Sequence, residues 1–317
     1  MRFGVLGPLQ VTREGQPIAA GGARARAVLV MLLADAGRVV PAERLADALW
    51  PAHDRDRGVA NLQVRMAELR RALRAAGAAD RIVTVPPGYR VDATADELDL
   101  LRFARLTGSG RDALASGEPA AAASFLSEAL GLWRGPALAD LDGVDSAVAQ
   151  RARLEDARLD AIELRIDALL ASGRHAETVG EAEALTERHP LRERFWWQRM
   201  LALYRSGRQA DALRAYRELR GILADQLGIE PSPELRALEA RILRQEDDLR
   251  YRPASAPAAA APQTRYVDSG GVHIAYQVIG EGERDIVFVP GLLSHLDLLW
   301  EDEDTAVFSP IPIASVP

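Results

Sequence analysis

One short pattern that returns after 34 residues constrains the fold of this chain more than any other feature. The run Ser172-Gly173-Arg174-His175-Ala176-Glu177 recurs as Ser206-Gly207-Arg208-Gln209-Ala210-Asp211, and a weaker copy begins at Ser116. Glycine suits the turn between two helices and alanine lets two helices pack closely, so a period of this length is typical of stacked helix pairs. Apolar residues keep a helical period around these turns, which predicts helices near 98–116, 118–134, 144–172, 175–188, 191–206, 208–226 and 232–247.

The residues before this helical region follow a different plan. Short apolar runs separated by turn residues come first, which is typical of a small antiparallel sheet. A helical period follows, and a last pair of apolar runs is joined by Pro86-Pro87-Gly88, a turn sequence. The sequence therefore predicts, in this order, short strands at 3–6, 9–12 and 17–18, helices at 24–36, 41–50 and 58–75, and two strands at 81–85 and 89–91.

Two residue types are missing from the chain, and their absence excludes several kinds of chemistry. Without cysteine no disulfide or thiolate site can form, and without lysine neither a phosphate-loop lysine nor a Schiff base is available. These kinds of chemistry are therefore excluded; separately, we expect no enzyme activity, no cofactor and no metal site. The N-terminus lacks a secretory leader, and no stretch reaches the roughly 18 apolar residues of a membrane span, so we expect a cytoplasmic protein without membrane contact.

The distribution of charge along the chain matters more than its total. The net charge of −7 argues against a nucleic-acid partner at first sight. Residues 1–97, however, hold 14 arginines against 11 acidic residues, a balance of +3, so the remaining residues carry −10. The basic part of the chain is therefore its N-terminal third, which is where a phosphate backbone would be bound.

Several motifs of the N-terminal third resemble the OmpR/PhoB-type winged helix found at the front of the Streptomyces antibiotic regulatory proteins. They are FGVLGPL at 3–9, GGARARA at 21–27, NLQVR at 61–65, LRRAL at 69–73 and PGY at 87–89. The helical region, with GIEPSPEL at 228–235, resembles the bacterial transcriptional activator domain of the same family. The resemblance covers about three quarters of the chain. It implies a mainly α fold: a winged helix-turn-helix with small antiparallel sheets, then an all-α, tetratricopeptide-like domain.

The third predicted helix has the dimensions to enter a major groove, where arginine can grip guanine and asparagine or glutamine can read adenine. Arg65 and Asn61 are our candidates for base edges, and Gln63 shares this part of the helix. Glu68 departs from the family pattern and would repel phosphate, although glutamate can accept from cytosine. The remaining candidates are Arg70, Arg71 and Arg74 for phosphates, and Thr84, Tyr89 and Arg90 on the predicted wing.

The resemblance implies a transcriptional activator that binds direct repeats near promoters as a homodimer on double-stranded DNA and recruits RNA polymerase. One alternative is an interaction scaffold in which the helical repeats act and DNA binding is weak or lost. Another is a regulator fused to a hydrolase. Salt-dependent duplex binding separates the scaffold from the activator, because phosphate contacts weaken as salt rises.

Four segments follow from these patterns: a winged-helix domain at 1–97, an activator domain at 98–248, a linker rich in proline and alanine at 249–264, and a strand-rich tail at 265–317. The tail resembles the start of an α/β-hydrolase domain in VDSGGVHIAY at 267–276 and FVPG at 288–291. Such a domain then needs a G-x-S-x-G nucleophile motif, and none occurs. We therefore expect an incomplete hydrolase-like fragment, as a truncated or frame-shifted gene would leave; a longer reading frame downstream would support this hypothesis.

Overall fold

The computed structural model describes residues 1–78, 81–251 and 264–276. Residues 1–251 form one compact unit, and 252–317 belong to a second. The strands of the first unit are β1 (Arg2–Gly4), β2 (Gln10–Arg13), β3 (Gln16–Pro17), β4 (Val40–Pro41), β5 (Ile82–Val85) and β6 (Gly88–Val91). Its helices are α1 (Ala23–Ala34), α2 (Ala42–Leu49), α3 (Arg55–Ala75), α4 (Asp99–Ala115), α5 (Pro119–Leu130), α6 (Val148–Ala171), α7 (His175–Arg188), α8 (Glu193–Arg205), α9 (Gln209–Leu227) and α10 (Pro233–Arg244).

The first part of the unit is a winged helix, as predicted. Strands β1, β2 and β3 form an antiparallel sheet in which Phe3 pairs with Val11. Helix α1 is buried on almost every side, because most of its residues from Ala25 to Leu33 are apolar and lie in the core. A second sheet has the order β4-β6-β5, with Tyr89 between Val40 and Thr84. Strand β4 was not predicted, since two residues are too short to show an alternating pattern.

The winged helix shares its core with the first helices that follow it. One hydrophobic cluster runs from Phe3 through α1 and α3 to Leu169 in α6. The backbone joins the two parts as well: the Arg134 N–H donates to the Leu6 carbonyl at 2.8 Å. The Asp99 carboxylate accepts the backbone N–H groups of Val5 and Leu6 at 2.9 and 3.0 Å. The chain therefore holds its N-terminal module against α4 to α6 by packing and by hydrogen bonds.

A second hydrophobic cluster lies within α6 to α10. Helix α6 serves both clusters: its Leu169 faces the first and its Leu170 faces the second. The two copies of the repeated pattern form equivalent turns, in which Gly173 and Gly207 have φ angles of +76° and +75°. Glycine adopts this left-handed conformation without the penalty of a Cβ atom. The predicted helical-repeat fold is thus confirmed, and the long helix α6 contributes to both hydrophobic clusters.

The structure shortens several of the predicted helices, α5 and α6 by the most. Helix α5 ends at Leu130 rather than 134, because Trp133 turns inward and packs edge-on against Phe103, with ring centroids 5.3 Å apart. Helix α6 begins at Val148 rather than 144, after a short 3₁₀ turn at Asp145–Ala147. In α5 a long-range contact thus accompanies the end of a helix that local spacing would have continued.

In the second unit, β7 (Arg265–Ser269) and β8 (Val272–Tyr276) form an antiparallel hairpin, where strands were predicted. The strand predicted around 285–291 and the FVPG motif lie outside the described residues, so the hydrolase resemblance stays a prediction. Among the described residues, no helix combines the length and the apolar character that crossing a membrane requires.

Candidate nucleic-acid interface

Helix α3 is one turn longer than its apolar spacing predicts. Asp54 caps its N-terminus by accepting the Arg57 backbone N–H at 2.8 Å, so the helix begins at Arg55 instead of 58. The added turn places Gly58 on the buried face, where a Cβ atom would lie 3.3 Å from the Ala46 methyl. Val59, predicted to face the core, is half-buried. The buried side of the helix consists of Gly58, Leu62, Met66, Leu69 and Leu73.

The opposite side of α3 faces solvent and carries cations without partners. Arg57, Arg71 and Arg74 are exposed, and in the described part of the chain their side chains make no ion pair or hydrogen bond. Gln63 is exposed beside them, and Val64 is 56% exposed. This outer face, defined by Arg57, Ala60, Gln63, Val64, Ala67, Arg71 and Arg74, presents positive charge and a flat apolar centre to anything that docks there.

Arg65 lies on a flank of the helix rather than at the centre of this outer face. Its Nη1 donates to Glu68 Oε2 at 2.6 Å, and Glu68 Oε1 accepts the Gly22 N–H at 2.8 Å. Asn61, the other base-edge candidate, is half-buried on the same flank. The carboxylate that sequence analysis placed near phosphate therefore already has two hydrogen-bond partners within the protein.

Arg70 lies on the other flank and ties α3 to the hairpin β5–β6. Its Nη2 donates to Thr84 Oγ1 at 2.7 Å and to the Ile82 carbonyl at 3.1 Å, and its guanidinium lies 5.7 Å from the centre of the Tyr89 ring. The structure thus brings three predicted site residues, Arg70, Thr84 and Tyr89, into one contact. That contact fixes the wing against the helix, and it leaves Arg70 less free to meet phosphate than Arg71 or Arg74.

Arg90, the last predicted site residue, pairs with Asp92 on the same strand end, with Nε and Oδ1 2.9 Å apart. Sequence reasoning missed two residues of the interface. Arg57 was outside the predicted helix, although the run Asp54-Arg55-Asp56-Arg57 contains the cap that would have found it. Val64 was not among the candidates, although its place outside the apolar spacing of the helix predicts that it faces solvent.

The described residues contain no group of three histidine, aspartate or glutamate side chains able to hold a metal ion. The basic outer face of α3, next to a two-stranded wing and on a rigid three-helix core, matches the shape in which winged helices present a helix to the major groove.

Comparison with known proteins agrees with this geometry. Residues 15–91 match the family model described as "Transcriptional regulatory protein, C terminal", and residues 98–243 match "Bacterial transcriptional activator domain". The regulatory protein AfsR of Streptomyces griseus is 41% identical over 81% of this chain. The transcriptional regulatory protein EmbR of Mycobacterium tuberculosis is 39% identical over 86% of it, and the regulatory protein DnrI of Streptomyces peucetius is 36% identical over 82% of it.

The relatives differ in how much of their own length is matched. The chain spans 26% of AfsR, 72% of EmbR and 98% of DnrI. Among solved structures, "Mycobacterium tuberculosis EmbR in complex with low affinity phosphopeptide" matches with a TM-score of 0.74 at 40% identity, over 77% of this chain and 65% of that one.

The winged helix with its basic helix, followed by stacked helix pairs, defines a transcriptional regulator that carries a bacterial transcriptional activator domain. EmbR and DnrI are each more than 30% identical to it and are matched over most of their length. The chain belongs to the Streptomyces antibiotic regulatory protein family.

Proposed function

We propose that this chain is a sequence-specific DNA-binding transcriptional activator whose helix α3 enters the major groove. The observation that carries the proposal is the outer face of α3, where Arg57, Arg71 and Arg74 have no acidic partner in the described residues. A helix face that carries positive charge and no acidic partner attracts a phosphate backbone. The charge of +3 on residues 1–97, in a chain of −7, supports the same assignment.

The interface residues divide by where their side chains lie. Arg71 and Arg74 are free to bind phosphate, which orients a protein on DNA without reading sequence. Asn61, Gln63 and Arg65 supply the amide and guanidinium groups that read base edges. The wing residues Thr84, Tyr89 and Arg90 contact the flanking DNA backbone together with Arg70 of α3, which also braces the wing.

We assign DNA binding to residues 1–97 and activation to residues 98–248. The activator acts as a homodimer on direct repeats and contacts RNA polymerase through its helical repeats. Membership of the family supports both statements, and the nearly full-length match to DnrI supports the two-domain plan. Because its target is bacterial DNA, the protein acts in the cytoplasm.

The test is duplex binding by the full chain. Wild type is used to enrich duplexes from a random-sequence pool, and affinity for the enriched duplex is then measured at two salt concentrations. Arg71→Ala is expected to weaken all duplexes alike, by about three- to tenfold, and to reduce the salt slope by about one. Arg236→Ala, which removes an equally exposed and unpaired arginine from α10, is the matched control and leaves affinity unchanged.

If wild type enriches no sequence and binds no duplex even at low salt, the proposal fails. The helical repeats would then be the working part of the chain, as an interaction scaffold. Equal losses for Arg71→Ala and Arg236→Ala would show that net charge, and not the outer face of α3, determines binding.

A further inference from the structure

A carboxylate on a DNA-binding helix needs an explanation, because it repels phosphate. Glu68 is on α3 between the outer face and α1, and its side chain is only 32% exposed. One carboxylate oxygen accepts the Gly22 N–H at 2.8 Å, and the other accepts Arg65 Nη1 at 2.6 Å. Both oxygens of Glu68 therefore point into the protein's own hydrogen bonds rather than toward a bound duplex.

The first of these contacts caps α1. Gly22 is the N-cap residue of α1 and has no side chain to accept the free N–H groups of the first turn. Glu68 accepts the N–H of Gly22 itself from another helix, at the positive end of the α1 dipole, which favours its negative charge. The carboxylate is thus held at a fixed point between α1 and α3.

The second contact fixes Arg65. A guanidinium has five N–H donors, and the pair with Glu68 uses one of them. The side chain is 39% exposed, so its other donors remain available to a ligand. An arginine held in one position before binding loses less rotamer freedom when it grips a base, and the pair also neutralises the charge of Glu68.

We propose that Glu68 is a positioning residue that holds Arg65 for base readout; this inference rests on the DNA-binding function proposed above. It reverses the expectation from sequence. An acidic side chain near phosphate predicts that removing the charge strengthens binding to every duplex. A positioning role predicts that removing it weakens binding to the preferred duplex alone.

The loop before α1 leaves room for this arrangement. A Cβ atom on Gly21 would lie 2.5 Å from Glu68 Oε1, closer than any real contact, whereas a Cβ atom on Gly22 would lie 3.8 Å away. Gly21 has a φ of +83°, so a side chain there is also strained. Gly15 has nearly the same φ, +82°, but no atom lies within 4 Å of where its Cβ would be. Alanine at Gly15 therefore has the backbone strain without the collision.

The first experiment compares wild type, Glu68→Gln, Arg65→Ala and the double variant on the enriched duplex and on a scrambled duplex. Glutamine still accepts the Gly22 N–H but cannot pair as an anion with Arg65. We expect Glu68→Gln to reduce the preference for the enriched duplex by about three- to tenfold, with scrambled binding unchanged. In the double variant the Glu68 change should add nothing to the loss from Arg65→Ala, because Glu68 acts only through Arg65.

The outcomes separate the inference from the function beneath it. Tighter or unchanged binding by Glu68→Gln, with wild type binding normally, overturns the positioning role alone. Additive losses in the double variant also overturn it, because Glu68 would then act independently of Arg65. No duplex binding by wild type overturns the proposed function and this inference together.

A second experiment displaces the carboxylate without removing it. Gly21→Ala pushes against Glu68 Oε1 at 2.5 Å and less strongly against the Ala25 methyl at 3.0 Å, whereas Gly15→Ala carries the same backbone strain at a site where nothing is displaced. We expect Gly21→Ala to lose preference for the enriched duplex as Glu68→Gln does, and Gly15→Ala to keep it. Equal behaviour of the two alanine variants overturns the positioning role.

Discussion

The same residue, arginine, serves two different purposes in two regions of this molecule. On the outer face of α3, Arg71 and Arg74 extend into solvent without partners among the described residues. In the helical repeats, Arg192 pairs with both Asp160 and Glu163, and Arg205 donates to two backbone carbonyls. The chain contains no lysine, so residue type cannot separate these two roles. What separates them is the group that each guanidinium contacts.

The contrast is sharpest where the end of the first unit meets the repeats. Residues 247–251, here called the strap, lie against the first repeat turn, with Leu249 buried. Arg205 joins the strap to α6 by donating to the carbonyls of Leu249 and Leu170, both at 2.8 Å. The guanidinium here donates to the Leu249 carbonyl and adds a second donor to the Leu170 carbonyl, which also accepts the Gly173 N–H. The arginines on the outer face of α3 are proposed to meet a ligand, whereas this one stabilises the fold.

The largest effect is therefore expected from Arg205→Met, which keeps the apolar stem, removes the donor to the Leu249 carbonyl and leaves the Leu170 carbonyl with the Gly173 N–H alone. We expect it to lower the free energy of unfolding by about 3 kcal/mol in urea. The control, Arg71→Met, should stay within about 0.5 kcal/mol of wild type, because nothing in the fold depends on that side chain. Similar losses in both variants would break the distinction between the two kinds of arginine.

The strap also distinguishes the two copies of the repeat turn. A Cβ atom on Gly173 would lie 2.4 Å from the Tyr251 ring, whereas one on Gly207 would meet nothing within 4 Å. Both positions have the same positive φ, so alanine costs about 1 kcal/mol of strain at either. We expect Gly173→Ala to lower the free energy of unfolding by about 1 to 2 kcal/mol more than Gly207→Ala does.

Urea unfolding measures the difference in stability between Gly173→Ala and Gly207→Ala, once in the wild-type chain and once in the Tyr251→Ala variant. In Tyr251→Ala the collision is absent, so Gly173→Ala and Gly207→Ala should become equal. An excess that persists there would mean that the strap does not rest on Gly173.

Sequence patterns predicted the elements of this fold well and the directions of its side chains less well. The repeat turns and the buried face of α3 follow from spacing alone, because packing demands that spacing. Arg65 and Glu68 are three residues apart on α3, a spacing that a local pattern can record. The contact of Glu68 with the Gly22 N–H joins residues 46 apart, and no local pattern records that distance in space. Arg70 was predicted for phosphate for the same reason: its contact with Thr84 forms only when the hairpin packs on α3.

The Arg81–Glu97 pair tests whether an arginine is structural because it has a partner or because of the domain in which it lies. It lies in the winged-helix part, near the wing. The hydrogen bond from Arg81 lowers the pKa of Glu97, with help from the Thr94 N–H and against the effect of burial. A carboxyl with a lowered pKa in the folded state adds stability above its unfolded pKa of about 4.3, and this contribution is lost as pH falls through the folded value.

We therefore expect Arg81→Gln to cost about 1 kcal/mol at pH 7 and progressively less below pH 4, as followed by urea unfolding across the pH range. The glutamine side chain cannot supply the positive charge, so the difference from wild type should shrink as Glu97 becomes protonated. A difference that is constant with pH would assign the loss to packing of the arginine stem instead.

The smallest effect should come from an arginine that is paired and yet exposed. Arg214 contacts Asp211 one turn away on α9, but its side chain is 69% exposed, and Asp211 is also held by Arg208 at 2.7 Å. Water screens such a pair, and ordering two long side chains offsets the attraction, so Arg214→Ala should change the free energy of unfolding by no more than about 0.5 kcal/mol. Pairing alone would then be insufficient to make an arginine structural. The side chain must also be withdrawn from solvent, as that of half-buried Arg205 is. A loss at Arg214 as large as at Arg205 would show that burial is not the deciding condition.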